Sequence, residues 1–350
     1  MSSTNLVVRF RKWVVIAIAV GAIVYLGLAI YGDYEKVAAA MASFRWSILV
    51  PVCLLTLSNY TIRFAKWRYL TRRLGVDMPL KDDAWLFASG LAMVISPGKI
   101  GELLKPYVVR ERTGVPMATT TPALVTERLT DAIGMLILAG IGVSAYQPEE
   151  TGLLVMMGAF VGFGLLLLAH EGLSLWAVRN LCKLPLLSRV GTQLEEMLVA
   201  MRTCVAPVPL LLTVLLSVVA WWAECWGLLL VFQGLGVTQA TMGLCVFIYA
   251  FATLTGGAAP GGLGVSDVLI AVLGAALILC PGMDGDALKD CVHTGLPVAT
   301  AASILIRVCT LWIGVAIGAV ALFKVSHMLG GNISLGAAPD ASGTGGGEAE

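Results

Sequence analysis

The chain has 350 residues, of which 58% are hydrophobic and only 13% are charged, and its mean hydropathy is +0.88. This composition excludes an ordinary water-soluble globule, and the formal net charge of +1 gives no sign of a nucleic-acid partner. Several apolar runs reach the ~20 residues that cross a hydrocarbon core. We predict an all-α, polytopic membrane protein with a single membrane domain over residues 1–325.

The N-terminal part of the chain predicts two spans, over residues 13–31 and 46–63. Basic residues cluster before the first span and after the second one, and such residues stay on the cytoplasmic side. The residues after the second span are Arg63, Lys66, Arg68, Arg72, Arg73 and Lys81. We expect a cytoplasmic loop there, with Lys66, Trp67 and Arg68 as an interfacial anchor.

An apolar run over 84–95 then stops at Ser96-Pro97-Gly98. It is too short to cross a membrane, so we predict a re-entrant half-helix with residues 101–112 as its returning arm. A third span is predicted over 122–145.

The second half of the chain predicts the same order of elements. The predicted elements are a span over 152–169, an interfacial amphipathic pair over 171–206, a span over 208–232, a broken apolar pair over 242–258 and 265–280, and a last span over 297–323. No Lys or Arg occurs from Thr203 to Leu288, which is typical of an outward-facing region. The Gly-rich tail over 330–350 is predicted to be disordered and cytoplasmic, like the N-terminus.

Cys280 and Cys291 bracket the short polar loop before the last predicted span. A disulfide between them is one interpretation, if the loop faces an oxidising compartment, and two free thiols are the other.

The two breaks in the apolar pattern are similar to each other. Ser96-Pro97-Gly98-Lys99-Ile100-Gly101 aligns with Ala259-Pro260-Gly261-Gly262-Leu263-Gly264, and each break precedes a span with one arginine, Arg128 or Arg307. Because three predicted spans separate the breaks, the two re-entrant pairs enter from opposite faces. This arrangement is an inverted repeat of 13–145 and 152–323.

Such breaks expose backbone N–H groups, and half-helix N-termini add partial positive charge, so two of them form an anion site. The predicted substrate-binding residues are Pro97, Gly98, Lys99, Gly101, Glu102, Arg128, Pro260, Gly261, Gly262, Gly264 and Arg307. The alternative is that the glycines only permit close helix packing and that the arginines pair internally with carboxylates.

Carboxylates near the breaks are predicted to control charge balance. Glu127, Asp131 and Glu224 are the predicted gating or coupling residues, and Glu102 is expected to pair with Arg128 or Lys99. Glu224 either pairs with Arg307 or carries a proton. Asp267 is expected to cap the helix after the second break.

Four motifs together resemble the flippase-like membrane domain family, which is the transmembrane domain of bacterial lysylphosphatidylglycerol synthases and their stand-alone relatives. They are S-P-G-K-I-G-E, E-R-L-T-D, K-W-R and P-G-G-L-G, and the resemblance covers residues 10–325. It places the family's first break at Pro97, Gly98, Gly101 and Glu102. Its E-R-x-x-D motif falls at Glu127, Arg128 and Asp131, and its second break runs from Pro260 through Gly264.

The resemblance implies movement of a lipid between the leaflets of the inner membrane, either an anionic phospholipid or a polyprenyl-phosphate type. We expect no aminoacyl-transferase domain and no enzymatic activity, cofactor or metal. Two other hypotheses remain open: a secondary transporter for a small soluble anion, and a non-transporting partner of a glycosyltransferase or lipid synthase.

Overall fold

The computed structural model describes residues 19–27, 30, 32–96, 101–144, 162 and 191–330, and the elements it assigns there are helices and turns. The predicted span over 152–169, the first part of the interfacial pair and residues 331–350 of the tail lie outside the described residues, apart from residue 162. The helices are α1 (Tyr34–Ser43), α2 (Leu49–Arg73), α3 (Leu80–Met93), α4 (Leu104–Thr113), α5 (Met117–Ser144), α6 (Gly191–Val205), α7 (Pro207–Gly234), α8 (Met242–Thr255), α9 (Val265–Leu273), α10 (Gly285–Arg307) and α11 (Ile313–Gly330).

Four helical stretches in the described part of the chain are long and apolar enough to cross a membrane. They are Trp46–Arg73, Pro207–Gly234, Pro260–Leu279 and Gly285–Leu329. The protein is therefore an all-α, polytopic membrane protein, as the composition predicted. The number of spans and the re-entrant course of the two broken pairs stay predictions.

Three of the four arms that flank the two breaks are short. Helices α3 and α8 each have 14 residues and α4 has 10, which correspond to about 21 and 15 Å of helix. A hydrocarbon core is about 30 Å thick, so each of these three arms alone is too short to cross it. The arm after the second break belongs to the stretch Pro260–Leu279, which is long enough to cross.

The two halves of the chain interlock. Helix α2 packs along α7, α3 packs along α11 and α5 packs along α8, so each of these pairs joins one half to the other. One apolar core surrounds Leu228, Phe232 and Ile248, while another surrounds Trp67 and Leu86. A third, smaller apolar cluster joins Ile95, beside the first break, to Leu263 in the second one.

The loop predicted directly after residue 63 is wrong. Helix α2 continues to Arg73 and turns Lys66 and Trp67 into the interior, where both are fully buried. The expected interfacial anchor is therefore wrong as well, because Trp67 donates to Asp83 at 2.9 Å and Arg68 pairs with the same carboxylate. Acidic partners within the protein, rather than lipid headgroups, satisfy these polar groups.

The helix that contains the last predicted span begins before that span. Helix α10 starts at Gly285, passes through Pro297, and continues into α11 by a single π-helical segment, Val308–Trp312. Residue Cys291 on α10 forms a disulfide with Cys280, which resolves the alternative left open by the sequence.

We expect reduction of this disulfide to lower the free energy of unfolding by about 2–3 kcal/mol, because the bond closes a loop with a sequence separation of 11. The measurement is the thermal unfolding midpoint of the protein in detergent, with and without reductant. The Cys291→Ser variant is the control and should show the lower midpoint under both conditions. An unchanged midpoint for the reduced wild type would contradict the expectation.

Candidate functional site

A cavity of about 320 Å³ lies between the two halves of the protein. Helices α2, α5, α7, α8, α10 and the second break all contribute to its wall. Its charged lining residues are Arg63, Arg128, Asp131, Glu224 and Arg307, and its aromatic ones are Tyr60, Trp221 and Tyr249. The structure therefore brings Arg128 and Arg307, the arginines of the two predicted repeats, to one shared space.

The second break is unwound, as predicted. Gly261, Gly262 and Gly264 have φ values of 61°, 72° and 83°, a region that side chains with a Cβ rarely adopt. A Cβ at Gly262 would also lie 2.6 Å from the Ser266 hydroxyl. Glycine is therefore required here both by the backbone conformation and by the close packing.

The two breaks touch each other through their backbones. The N–H of Gly261 donates to the carbonyl of Val94, at the end of the first arm, at 3.0 Å. Ser96 closes the first arm by accepting the N–H of Gly101 at 2.8 Å. The predicted residues Pro97, Gly98 and Lys99 lie outside the described residues, so their roles stay predictions.

The predicted cluster of charges on α5 is formed. Arg128 contacts Glu102 at 3.3 Å and Asp131 at 3.8 Å, and it donates to Glu127. Arg128 is one of the two partners that the sequence predicted for Glu102. The three carboxylates thus surround one arginine at the edge of the cavity.

Three further cations belong to this cluster and were missed by sequence reasoning. Lys66 donates to Asp131 at 2.5 Å, Lys105 donates to Glu127 at 2.7 Å, and Arg63 pairs with Glu127 at 3.4 Å. A signal was available: Asn59, Arg63, Lys66 and Leu70 recur at helical spacing and would share one face of a continued helix. All four side chains are buried on that face.

The cluster carries an excess of positive charge. Arg63, Lys66, Lys105 and Arg128 oppose the carboxylates Glu102, Glu127 and Asp131, which leaves one cation in excess. The side chain of Arg128 is 28% exposed, whereas those of Arg63, Lys66 and Lys105 are 7%, 1% and 3% exposed. Arg128 is therefore the cation of this group with most access to a molecule in the cavity.

Several polar atoms at this cluster lack a hydrogen-bond partner in the described part of the chain. They are Nε of Arg63, Nε of Arg128, Oε1 of Glu102 and Oδ2 of Asp131, and all of them are buried. Nε of Arg63 still lies 3.7 Å from Asp131, and Nε of Arg128 lies 3.3 Å from Glu102, so ion pairs rather than hydrogen bonds hold these two atoms.

The second half holds its arginine differently. Arg307 donates from Nε to Asp267 at 2.9 Å and from Nη2 to the carbonyl of Gly261. Asp267 also accepts the N–H of Gly264 at 2.8 Å, so its predicted role as a helix cap is confirmed. Of the two alternatives for Glu224, pairing with Arg307 is wrong, because Glu224 accepts instead from the Tyr249 hydroxyl at 2.5 Å.

Both arginines are thus paired with carboxylates, as the alternative interpretation expected, and both also line the cavity. Close glycine packing occurs as well: a Cβ at Gly142 on α5 would lie 2.7 Å from the backbone N of Phe247 on α8. The anion-site interpretation and the packing interpretation of the sequence are therefore compatible with each other in one structure.

Comparison with known proteins agrees with this architecture. Residues 13–318 match the family described as the lysylphosphatidylglycerol synthase TM region. The chain is also 23% identical over 329 residues to a UPF0104 membrane protein of Methanothermobacter thermautotrophicus, a match covering 86% of this chain and 90% of that protein. Because the family match extends over most of the chain, the protein belongs to the lysylphosphatidylglycerol synthase TM region family.

Proposed function

We propose that the protein moves a lipid with an anionic headgroup between the two leaflets of the inner membrane. Membership of a family named for a lipid synthase supports a lipid-related role. The observation that carries the proposal is the cavity shared by the two halves, with Arg128 on one wall and Arg307 on the other.

The headgroup would lie in this cavity while the acyl chains stay in the bilayer. Arg128 would supply the positive charge, since it is the most exposed cation of its cluster and the cluster carries one cation in excess. Pro260, Gly261, Gly262 and Gly264 would let the backbone approach the headgroup closely, and Gly101 would do so from the other half. Arg307 would orient the second break through the Gly261 carbonyl.

Alternating access would use the contact between the breaks. Glu127 and Asp131 would hold Arg128 while the cavity is empty and release it in part when an anion arrives. The disulfide supports an orientation in which Cys280 and Cys291 face the oxidising side and both termini lie in the cytoplasm.

Fluorescent phosphatidylglycerol in proteoliposomes, quenched from outside by dithionite, tests this function. We expect Arg128→Gln to slow transfer between leaflets about 10–100-fold, because a charge-assisted hydrogen bond contributes about 1.5–3 kcal/mol. The double variant Glu102→Gln/Arg128→Gln should be equally slow, although it removes the unpaired buried carboxylate that the single variant leaves.

Arg112→Ala is the matched control, because Arg112 forms an exposed ion pair with Asp82 away from the cavity. Each variant must elute as a monodisperse peak in gel filtration. Equal transfer by wild type and both Arg128 variants would overturn the proposal. Competition by inorganic phosphate in the interior buffer would instead favour a transporter of soluble anions, and competition by a polyprenyl phosphate would favour that lipid class.

A further inference from the structure

Glu224 differs from every other buried carboxylate in the described residues. Six carboxylates are buried there, and five of them have a cationic partner within 4.0 Å: Asp83, Glu102, Glu127, Asp131 and Asp267. Glu224 has no such ion pair in this part of the chain. The hydrogen bond found for its carboxylate there is the one from the neutral Tyr249 hydroxyl.

Its position makes this arrangement costly for a charged group. Glu224 is 4% exposed and lies ten residues before the end of α7 at Gly234, more than two helical turns inside that helix. An isolated carboxylate at such a site is far less stable than the protonated acid.

Cations that face Glu224 across the cavity are already engaged. Arg63 on α2 pairs with Glu127 and lies over the Trp221 ring, and Arg307 on α10 is held by Asp267. The other ionisable groups that line the cavity are Asp131, Arg128, Tyr60 and Tyr249. Asp131 would repel a second carboxylate, Arg128 pairs with Glu102, Glu127 and Asp131, and the two tyrosines are neutral donors.

We infer that the Glu224 carboxyl group is protonated in this conformation. Release of this proton down the proton gradient drives the transport cycle. When the cavity opens to water on the opposite side, hydration stabilises the carboxylate. The O–H bond of the acid then breaks, its electron pair stays on the carboxylate oxygen, and the proton passes to a water molecule. This inference rests on the proposed function for its transport step, but the proton site itself does not.

Infrared spectroscopy of the full chain in nanodiscs tests the proton site without transport. At neutral pH we expect the carbonyl band of a protonated carboxylic acid, and we expect it to disappear in Glu224→Gln. The control is Glu111→Gln, which removes an exposed glutamate on α4 and should keep the band. Equal bands in wild type and Glu224→Gln would overturn the inference.

Phosphatidylcholine vesicles with a trace of fluorescent phosphatidylglycerol test the coupling. With one proton per lipid, a gradient of one pH unit should shift the steady-state leaflet ratio up to tenfold, since one pH unit per proton equals a tenfold change in an equilibrium. Glu224→Gln should reduce this shift to none, and Glu111→Gln should preserve it.

The two proposals fail in different ways. Rapid transfer by the wild type with no response to the gradient would overturn proton coupling and leave lipid transport intact. A Glu224-dependent infrared band without any transfer would support the proton site and count against transport of this lipid.

Discussion

Replacing Lys66 by Met should destabilise the protein by about 3–5 kcal/mol, the loss expected when one partner of a buried ion pair is removed. Lys66 is fully buried, and its ammonium group donates to Asp131 and Ser217 and shares its third N–H between Thr130 and the carbonyl of Glu127. Methionine preserves most of the side-chain volume, so the loss of stability measures the contribution of the charge and the hydrogen bonds of Lys66. The measurement is the thermal unfolding midpoint in detergent.

A second substitution identifies the cause. Without Lys66, Asp131 keeps only its longer ion pairs, with Arg63 at 3.7 Å and Arg128 at 3.8 Å. If this weaker pairing of the carboxylate accounts for the loss, Lys66→Met/Asp131→Asn should recover part of it, since the amide is neutral. Lys36→Met is the control, because Lys36 forms an exposed ion pair with Asp33 and should change stability by less than about 1 kcal/mol. A midpoint for Lys66→Met equal to that of the control would refute the buried ion network.

Replacing Gly318 by Val should separate α11 from α3 and cost about 3 kcal/mol. A Cβ at this position would lie 2.3 Å from the backbone N of Ala92 and 2.7 Å from its Cβ. Neither atom belongs to a flexible side chain, so the overlap can be relieved only by moving one helix. Because Ala92 lies two residues before Val94, we also expect slower lipid transfer.

Gly140→Ala is the matched control for this substitution. Gly140 is also helical, but a Cβ there would meet nothing within 4 Å. Alanine should therefore stabilise the helix slightly, by up to about 1 kcal/mol. Equal unfolding midpoints for Gly318→Val and Gly140→Ala would show that the packing of α3 against α11 is not tight.

Much of this architecture could be predicted from the sequence because it depends on local patterns. Apolar length identified the helices, and Pro and Gly identified both breaks to within a few residues. The E-R-L-T-D spacing placed Glu127, Arg128 and Asp131 on one helix, with Arg128 near Asp131. These features need no knowledge of what packs against them.

Pairing between distant elements could not be predicted in the same way. Arg63 and Lys66 were interpreted as a cytoplasmic loop because basic residues normally stay outside the membrane core, and only the carboxylates of α5 make them tolerable there. Similarly, Asp267 rather than Glu224 became the partner of Arg307, a choice fixed by where α9 meets α10. Whether a charged side chain can be buried depends on its partner on another helix, and the periodicity of the sequence does not identify that partner.

The hydrogen bond from Gly261 to Val94 joins the two halves through main-chain atoms alone. Its acceptor is a carbonyl that every amino acid possesses, so no side-chain replacement at Val94 can remove it. Most of the surrounding sequence can therefore change during evolution without breaking this hydrogen bond, provided that a glycine keeps the left-handed conformation at position 261. Distant relatives could preserve the meeting of the two breaks while sharing few identical residues.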